Sequence, residues 1–323
     1  MRHRHQTQHG RMTATTTGSN ATAASATTTV AVLGLGPMGV ALARALAAGG
    51  SRVRVWNRTP RTLAEHGLAD VERDGSPAPI ELADDPAAAV AGADLVVVCV
   101  RDHTASRALL ETVAPHLDGA VLVNVSTGSP DQATRSARHA EALGVRYVTG
   151  AVMVPTPMVG TDDCLVLYAG EEDDVTVATA ALTPLGGTAD VVGTDHAVPP
   201  VLDLAMLDIY FAGMYAFMHA AALVGRQGVT PARFLPYAQA ITETLNGSLP
   251  GLAASATERT YRTGDARLGM CLAFQEHILT ASEEAGVPTE LPALVRDASR
   301  RAERAHGADI DWDVVAEELL GPR

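Results

Sequence analysis

The chain has 323 residues, of which 47% are hydrophobic, and this is long enough for two domains that each bury a core. Its formal net charge of −13 at pH 7 argues against nucleic acid as a partner and leaves no basic patch for a membrane surface. The three cysteines, Cys99, Cys164 and Cys271, lie far apart in apolar stretches. We therefore expect reduced thiols in a cytoplasmic protein, with neither disulfides nor a metal site.

All 24 basic residues are arginine, because the sequence contains no lysine. This composition excludes Schiff-base chemistry on the protein, a Walker lysine and a lysine general acid. Residues 1–27 begin with Arg and His and continue as an uncharged run rich in Thr and Ala. This composition predicts a disordered tail.

A glycine-rich turn follows the first predicted strand, Thr28–Leu33, and precedes an Ala- and Leu-rich helix that runs to about Ala48. A strand, the pattern GxGxxG and a helix, in that order, are typical of dinucleotide binding. The glycines allow a tight turn and a close approach to a pyrophosphate, and the helix N-terminus faces the anion. The cofactor-binding residues predicted from this motif are Gly34, Leu35, Gly36, Pro37, Met38 and Gly39.

The second predicted strand, Arg52–Trp56, ends in Asn57-Arg58-Thr59. An NAD-selective enzyme carries Asp or Glu here for the ribose hydroxyl groups. An amide, a guanidinium and a hydroxyl group suit a ribose phosphate instead, so these three residues predict NADPH as the cofactor. A solvated Arg58 without a ligand remains the alternative.

Strands alternate with helices as far as Thr194, which predicts an α/β fold with a Rossmann-type, doubly wound sheet over residues 28–194. Ligands of such sheets lie beyond the carboxyl ends of the strands. The predicted strands Asp94–Val100 and Ala120–Val125 therefore place further residues beside the cofactor; for Ser126 and Thr127, helix capping before Pro130 is an alternative or additional role. These predicted cofactor-binding residues are Val100, Arg101, Asn124, Ser126 and Thr127.

Residues 195–228 are predicted to form a long interdomain helix, which starts near the Pro199-Pro200 pair and stops at Gly228. Nearly every face of it is apolar, so it is surrounded by protein or by lipid. Asp203 is a charged exception on this apolar helix, and we expect its side chain to face the reacting groups. Asp208 lies about 140° round the helix from Asp203 and need not share that site. A buried acid satisfied by an arginine or a helix N-terminus is the alternative for Asp203.

Residues 229–323 are predicted to form an all-helical domain for dimerisation and substrate binding. Because one copy can hardly cover the apolar linking helix, we expect a homodimer in which this domain is exchanged between subunits. The predicted helical segments are Pro231–Leu245, Leu249–Tyr261, Ala266–Gly286, Leu291–His306 and Trp312–Leu320.

Together the stretches GLGPMG, WNRTP, NVSTGSP and VLDLAML resemble an imine reductase, a relative of the beta-hydroxyacid dehydrogenases. The resemblance covers about residues 28–320. It implies that Asp203 stands where the dehydrogenases carry a catalytic lysine, with Leu207 near the place of an Asn. It also implies that Met153 lies in place of their Ser-Gly-Gly substrate loop.

The implied activity is NADPH-dependent reduction of imines or iminium ions to amines, extending to reductive amination of ketones. In an apolar cleft, the ionised carboxyl group of Asp203 stabilises an iminium cation, and the protonated carboxyl group can supply or relay a proton to the imine. Tyr210 is the alternative proton donor on the same helical face. The predicted substrate-pocket residues are Met153, Leu207, Phe211, Met214, Phe274 and His277, the last two reaching the site from the partner subunit as the resemblance implies.

Three other interpretations stay open at this stage. One is a carbonyl reductase of the beta-hydroxyacid dehydrogenase type, which the absence of lysine disfavours because arginine is too basic to act as the acid. The second is a non-catalytic NADP-binding module. The third is a membrane anchor at residues 209–224, which is short for a span and which we do not expect.

Overall fold

The computed structural model describes residues 27–262, 264 and 266–321. These residues fall into two compact units that divide between Leu204 and Ala205. The strands, all within the first unit, are β1 (Thr29–Leu33), β2 (Arg52–Trp56), β3 (Glu72–Arg73), β4 (Ser76–Pro77), β5 (Ile80–Leu82), β6 (Leu95–Val98), β7 (Val121–Asn124), β8 (Tyr147–Val152), β9 (Leu165–Ala169) and β10 (Thr188–Val191).

Eight of these strands form one sheet in the order β10-β9-β8-β7-β6-β1-β2-β5, and β3 and β4 pair as a separate antiparallel hairpin. The sheet is parallel except where β9 pairs antiparallel with β8. The predicted Rossmann-type α/β fold is confirmed. The reversal at β9 was not predicted, because an apolar run of residues carries no signal of strand direction.

Five helices connect the strands, and their starts follow from local chemistry. Pro is the first residue of three of them, where the missing N–H costs nothing. Side-chain caps begin three of them, at Asp85, at Asp102 and at Ser129, which forms a capping box with Gln132. The helices are α1 (Pro37–Ala48), α2 (Pro86–Val90), α3 (His103–Val113), α4 (Pro130–Ala142) and α5 (Glu172–Ala181).

Apolar clusters cover both faces of the sheet, which explains why its central strands are continuous apolar runs such as LVVV in β6. From β1 the chain moves out through β2 to β5 and then returns to β6 on the other side of β1. The strand order thus reverses between β1 and β6. In doubly wound sheets, ligands bind at this switch point, beyond the carboxyl ends of the strands.

The long helix α6 runs from Val198 to Gly225, inside the predicted range 195–228, and it crosses the division between the two units. The helices of the second unit are α7 (Pro231–Glu258), α8 (Leu268–Glu284), α9 (Glu290–His306) and α10 (Glu317–Leu320), with a short 3-10 helix at Trp312–Ala316. A small core beside them is formed by Tyr261, Leu268, Ala302, Val314 and Val315.

The predicted break between Leu245 and Leu249 is wrong, because α7 continues through it with Pro250 inside the helix. A proline removes one backbone hydrogen bond and bends a helix, but it does not have to end it. The helix ends at Glu258, and its C-cap residue, Arg259, adopts a left-handed backbone conformation (φ 52°) and binds Glu317 through its guanidinium group.

Candidate active site

The glycine turn after β1 has the shape that a dinucleotide requires. Gly34 has φ +103°, and a side chain there would overlap the carbonyl oxygen of Cys99. A side chain at Gly39 would overlap the carbonyl oxygen of Gly34, so this glycine lets α1 pack closely on the turn. These two glycines are therefore required by the fold itself.

Gly36 differs from the other two glycines, because a Cβ atom built there meets nothing within 4 Å. It is the N-cap residue of α1, with no side chain bound to the first-turn N–H groups and no acidic residue in that turn. An anion at this position gains from the exposed N–H groups and from the helix dipole. The turn therefore fits the pyrophosphate of a dinucleotide.

Asn57 lies at the carboxyl end of β2, and its amide group is already engaged by the protein. Its Oδ1 atom accepts a hydrogen bond from the Leu35 N–H (3.1 Å), and its Nδ2 atom donates to the Thr59 carbonyl group (3.0 Å). Asn57 thus holds the glycine turn beside the end of β2. The side chains of Arg58 and Thr59 are exposed next to it.

The loops after β6 and β7 are joined by hydrogen bonds. The Val100 N–H donates to Ser126 Oγ (3.1 Å), and the Ser126 N–H donates to Asn124 Oδ1 (3.0 Å). Asn124 has no exposed surface and holds the two loops together through these hydrogen bonds; its role in cofactor binding stays a prediction. Arg101 and Thr127 are exposed at the same edge of the sheet.

Asp203 lies in the second turn of α6 and is half-buried. Within the part of the chain that the structure describes, it has no hydrogen-bond or ion-pair partner. Its neighbours in sequence are apolar, including Leu202, Leu204 and Met206. Burial raises the pKa of the Asp203 carboxyl group above its ordinary value, which favours the protonated form.

The predicted pocket residues of α6 are largely exposed in the single chain. Tyr210 and Phe211 expose 61% and 60% of their surface, and Met214 exposes 38%. Leu207 is half-buried. Helical spacing places Tyr210 on the side of α6 that carries Asp203. In α8, Phe274 and His277 are exposed as well.

Met153, the remaining predicted pocket residue, is 8% exposed and packs in a small cluster with Ala151 and Leu167 at the end of β8. Little of this side chain is therefore accessible. No group of three or more His, Cys, Asp or Glu residues within 27–262, 264 and 266–321 is arranged to hold a metal ion.

Three polar residues that no sequence motif singles out lie behind this edge of the sheet. Tyr147 and Thr149 are buried in β8, and His196 comes just before α6. Thr149 Oγ1 lies 2.9 Å from His196 Nδ1, and Tyr147 accepts a hydrogen bond from Asn124. Only the three-dimensional pairing of β7, β8 and this segment brings them together.

Two family models match consecutive parts of the chain. Residues 29–193 match the NAD binding domain of 6-phosphogluconate dehydrogenase, and residues 195–321 match the C-terminal domain of the NADPH-dependent reductive aminase-like proteins. The NADPH-dependent reductive aminase of Aspergillus oryzae is 29% identical over 260 residues, which cover 79% of this chain and 84% of that protein.

Solved structures agree with these matches over nearly the whole chain. The imine reductase of Streptomyces aurantiacus is 31% identical, with a TM-score of 0.80, over 91% of this chain and 100% of that one. The reductive aminase of Aspergillus terreus, in complex with NADPH4, cyclohexanone and allyl amine, is 30% identical, with a TM-score of 0.80, over 91% and 99% of the two chains. The chain therefore belongs to the imine reductase family of NADPH-dependent oxidoreductases, which act on C=N bonds.

Proposed function

We propose that Asp203 is the acidic group with which this enzyme promotes the reduction of an imine. An imine accepts hydride far more readily once it is protonated, and the resulting iminium ion is a cation. The observation that carries the proposal is a half-buried carboxyl group with a raised pKa and no hydrogen-bond or ion-pair partner in the described residues. Such a group gains electrostatic energy when a cation is placed beside it.

Asp203 and the imine nitrogen hold one proton between them before hydride transfer. If Asp203 is protonated when a neutral imine binds, its proton passes to the imine nitrogen and leaves a carboxylate beside an iminium ion. If the iminium ion binds directly, the same ion pair is formed without transfer. NADPH, when bound, supplies the hydride. Tyr210, on the same side of α6, is the second candidate proton donor.

NADPH is held, in this proposal, by the glycine turn and by the exposed residues at the carboxyl ends of the strands. The N-terminus of α1 takes the pyrophosphate. The guanidinium group of Arg58 and the hydroxyl group of Thr59 take the ribose phosphate. Arg101 and Thr127 are exposed at the edge where β6 and β7 end, and the buried Ser126 lies at the same edge. Asn57 holds the glycine turn, and Asn124 holds the loops after β6 and β7.

The substrates that we propose are small cyclic imines, and also the imines that form from a ketone and an amine. The complex of the Aspergillus terreus reductive aminase with cyclohexanone and allyl amine supports the second class. An unpaired carboxyl group repels a carboxylate substrate, so a hydroxyacid is the substrate class that this arrangement disfavours most.

The test is NADPH oxidation with a cyclic imine such as pyrroline, run on the wild type and on Asp203→Ala, with a hydroxyacid and NADP as the counter-assay. We expect imine-dependent turnover that falls at least about tenfold in the variant. Asp208→Ala, one turn further along α6 and exposed, is the matched control and is expected to retain the wild-type rate. Turnover of the hydroxyacid alone would overturn the proposal.

We also propose a cytoplasmic homodimer in which the helical units are exchanged. By its length and by the mean hydropathy of an 18-residue segment (1.5), α6 could cross a membrane. None of that segment is buried within one chain. Large apolar side chains are also exposed on α7, where Tyr237 and Ile241 expose 69% and 66%. In the proposed dimer, the second copy of this chain covers these apolar helices, so no lipid is needed to cover them. It also brings Phe274 and His277 to the partner's site.

Sedimentation of the detergent-free protein tests this assembly. We expect a species of twice 33.5 kDa, and we expect Ile209→Asp, Ile241→Asp or both to shift it towards the monomer with loss of turnover. Leu319→Asp, which is 83% exposed in α10, is the control for adding charge at an exposed apolar residue. Recovery of the protein only in the membrane fraction would contradict the proposal.

A further inference from the structure

A set of polar and ring contacts runs through the apolar interior beside the carboxyl ends of the strands. Asn124 Nδ2 donates to the Tyr147 hydroxyl group (2.8 Å), and Tyr147 and Thr149, two residues apart in β8, lie on the same face of the strand. Thr149 Oγ1 lies 2.9 Å from His196 Nδ1, and the rings of Tyr147 and His196 are tilted, with their centroids 5.8 Å apart. Buried polar groups cost free energy unless they are paired, so these contacts fix one arrangement.

One end of this set reaches the cofactor edge. Asn124 Oδ1 accepts from the Ser126 N–H, and Ser126 Oγ accepts from the Val100 N–H. The loops after β6 and β7 are therefore tied to each other and, through Asn124, to Tyr147 in β8. A shift at any of these positions leaves a buried donor or acceptor unpaired.

The other end reaches the start of α6. His196 precedes the first helical residue, Val198, by two positions, and Pro199 and Pro200 in the first turn are buried. Asp203 follows in the second turn of the same helix. Because successive turns of a helix have a fixed geometry, a shift of the first turn of α6 also moves Asp203.

The charge of His196 suits this role. Burial lowers the pKa of its imidazole group, while the carboxyl groups of Asp195 and Glu171 oppose that effect. A neutral imidazole with its proton on Nε2 accepts at Nδ1, so it can accept the hydrogen bond of the Thr149 hydroxyl group. A positive charge before the N-terminus of α6 would also be opposed by the helix dipole.

We propose that His196 is a positioning residue for Asp203, held in place by its contacts with Thr149 and Tyr147. The inference rests on the proposed role of Asp203. It predicts that breaking the His196–Thr149 contact slows the reaction at the imine and leaves cofactor binding unchanged. Displacement of a reacting group by about 1 Å can cost up to about a hundredfold in rate.

The experiment combines variants of both residues. His196→Phe keeps a ring against Tyr147 but removes the hydrogen bond, and His196→Asn restores a polar group near the position of Nδ1. Thr149→Val removes the same hydrogen bond from the other side with little change in volume, and Thr149→Ser retains the hydroxyl group. Each is measured for kcat, for KM of a cyclic imine, for Kd of NADPH and for Tm, alone and together with Asp203→Asn.

We expect His196→Phe and Thr149→Val to lower kcat about tenfold, with KM and the NADPH Kd within about twofold of the wild type. His196→Asn and Thr149→Ser should recover most of the loss. In the Asp203→Asn background, His196→Phe should cause no further loss, because residues that act through one another are not additive.

Independent losses that multiply in the double variant would overturn the inference, and so would a normal kcat in His196→Phe. The single variant Asp203→Asn separates this result from a failure of the proposed function. If Asp203→Asn is impaired and His196→Phe is not, only the positioning role is wrong. If Asp203→Asn is fully active, both are wrong.

Discussion

At the scale of single residues, Asp203 combines a cost to the fold with its proposed use in catalysis. Its sequence neighbours are apolar, and burial raises the pKa of its carboxyl group. The carboxylate form of Asp203 is therefore destabilised in the free enzyme, and a cation that binds beside it stabilises this form. A lysine at this place would have the opposite charge and would favour an anionic substrate.

The first prediction follows from the sign of that shift. Because the pKa of Asp203 is higher in the folded protein than in the unfolded chain, ionisation of this group lowers the free energy of unfolding at pH values above the folded pKa. Below the ordinary pKa of an aspartic acid the group is protonated in both the folded and the unfolded protein, so this loss of stability disappears. Asp203→Asn should therefore raise Tm at pH 7 by about 1–2 °C while lowering kcat, and the gain in Tm should disappear near pH 3. Thermal unfolding across this pH range measures it; a lower Tm at pH 7 would show that the charge stabilises the fold.

The second prediction concerns cofactor choice. Arg58 is exposed after β2, beside Thr59. If its guanidinium group binds the ribose phosphate, Arg58→Ala should raise KM for NADPH about tenfold and leave KM for NADH unchanged. Arg138→Ala, an exposed arginine of α4, is the control. Equal changes for both cofactors would instead place Arg58 away from the phosphate.

At the scale of elements, the strand–turn–helix unit at the start of the fold separates residues needed for folding from residues needed for binding. Gly34 and Gly39 face backbone carbonyl oxygens, whereas Gly36 faces open space. The sequence motif names the three glycines but does not show which of them lack room for a side chain. Their different surroundings appear only when β1, α1 and the end of β6 are packed together.

The third prediction uses this contrast. Gly36→Ala should keep the Tm of the free enzyme within about 2 °C and should weaken NADPH binding at least about tenfold, because its methyl group points into the space left for the pyrophosphate. Gly39→Ala should lower Tm markedly or prevent folding, because its Cβ meets the Gly34 carbonyl oxygen. Titration of NADPH and thermal unfolding of the free protein distinguish the two; normal binding by Gly36→Ala would mean that the pyrophosphate lies elsewhere.

Most of the fold was predictable from local pattern, and its exceptions have physical reasons. Strand β2 was predicted at its observed bounds, and a helix was expected from Pro130, where α4 starts; its cap is Ser129, whereas the sequence had suggested Ser126 or Thr127. The pairing direction of β9 and the continuity of α7 depend on tertiary packing and were missed. For the candidate site, the sequence motifs supplied the predicted residues, but the contact between Thr149 and His196 joins positions 47 residues apart and has no sequence signal.

At the scale of the whole molecule, the absence of lysine agrees with the chemistry of the family. An enzyme that handles carbonyl compounds, amines and imines meets reagents that condense with primary amines. All 24 basic side chains here are guanidinium groups, which stay protonated and do not form imines under such conditions. The same composition leaves no lysine to act as the acid of a hydroxyacid dehydrogenase.

The last prediction is therefore resistance to amine-directed modification. Formaldehyde with cyanoborohydride, which methylates lysine, should leave imine turnover unchanged within about twofold, since an α-amino group is the one primary amine that the sequence offers. Intact mass should show methylation of that single amine and no more. A carbonyl reductase with a catalytic lysine, treated in parallel, serves as the positive control for loss of activity. Inactivation of this enzyme with only its terminal amine modified would mean that the N-terminus takes part in the reaction.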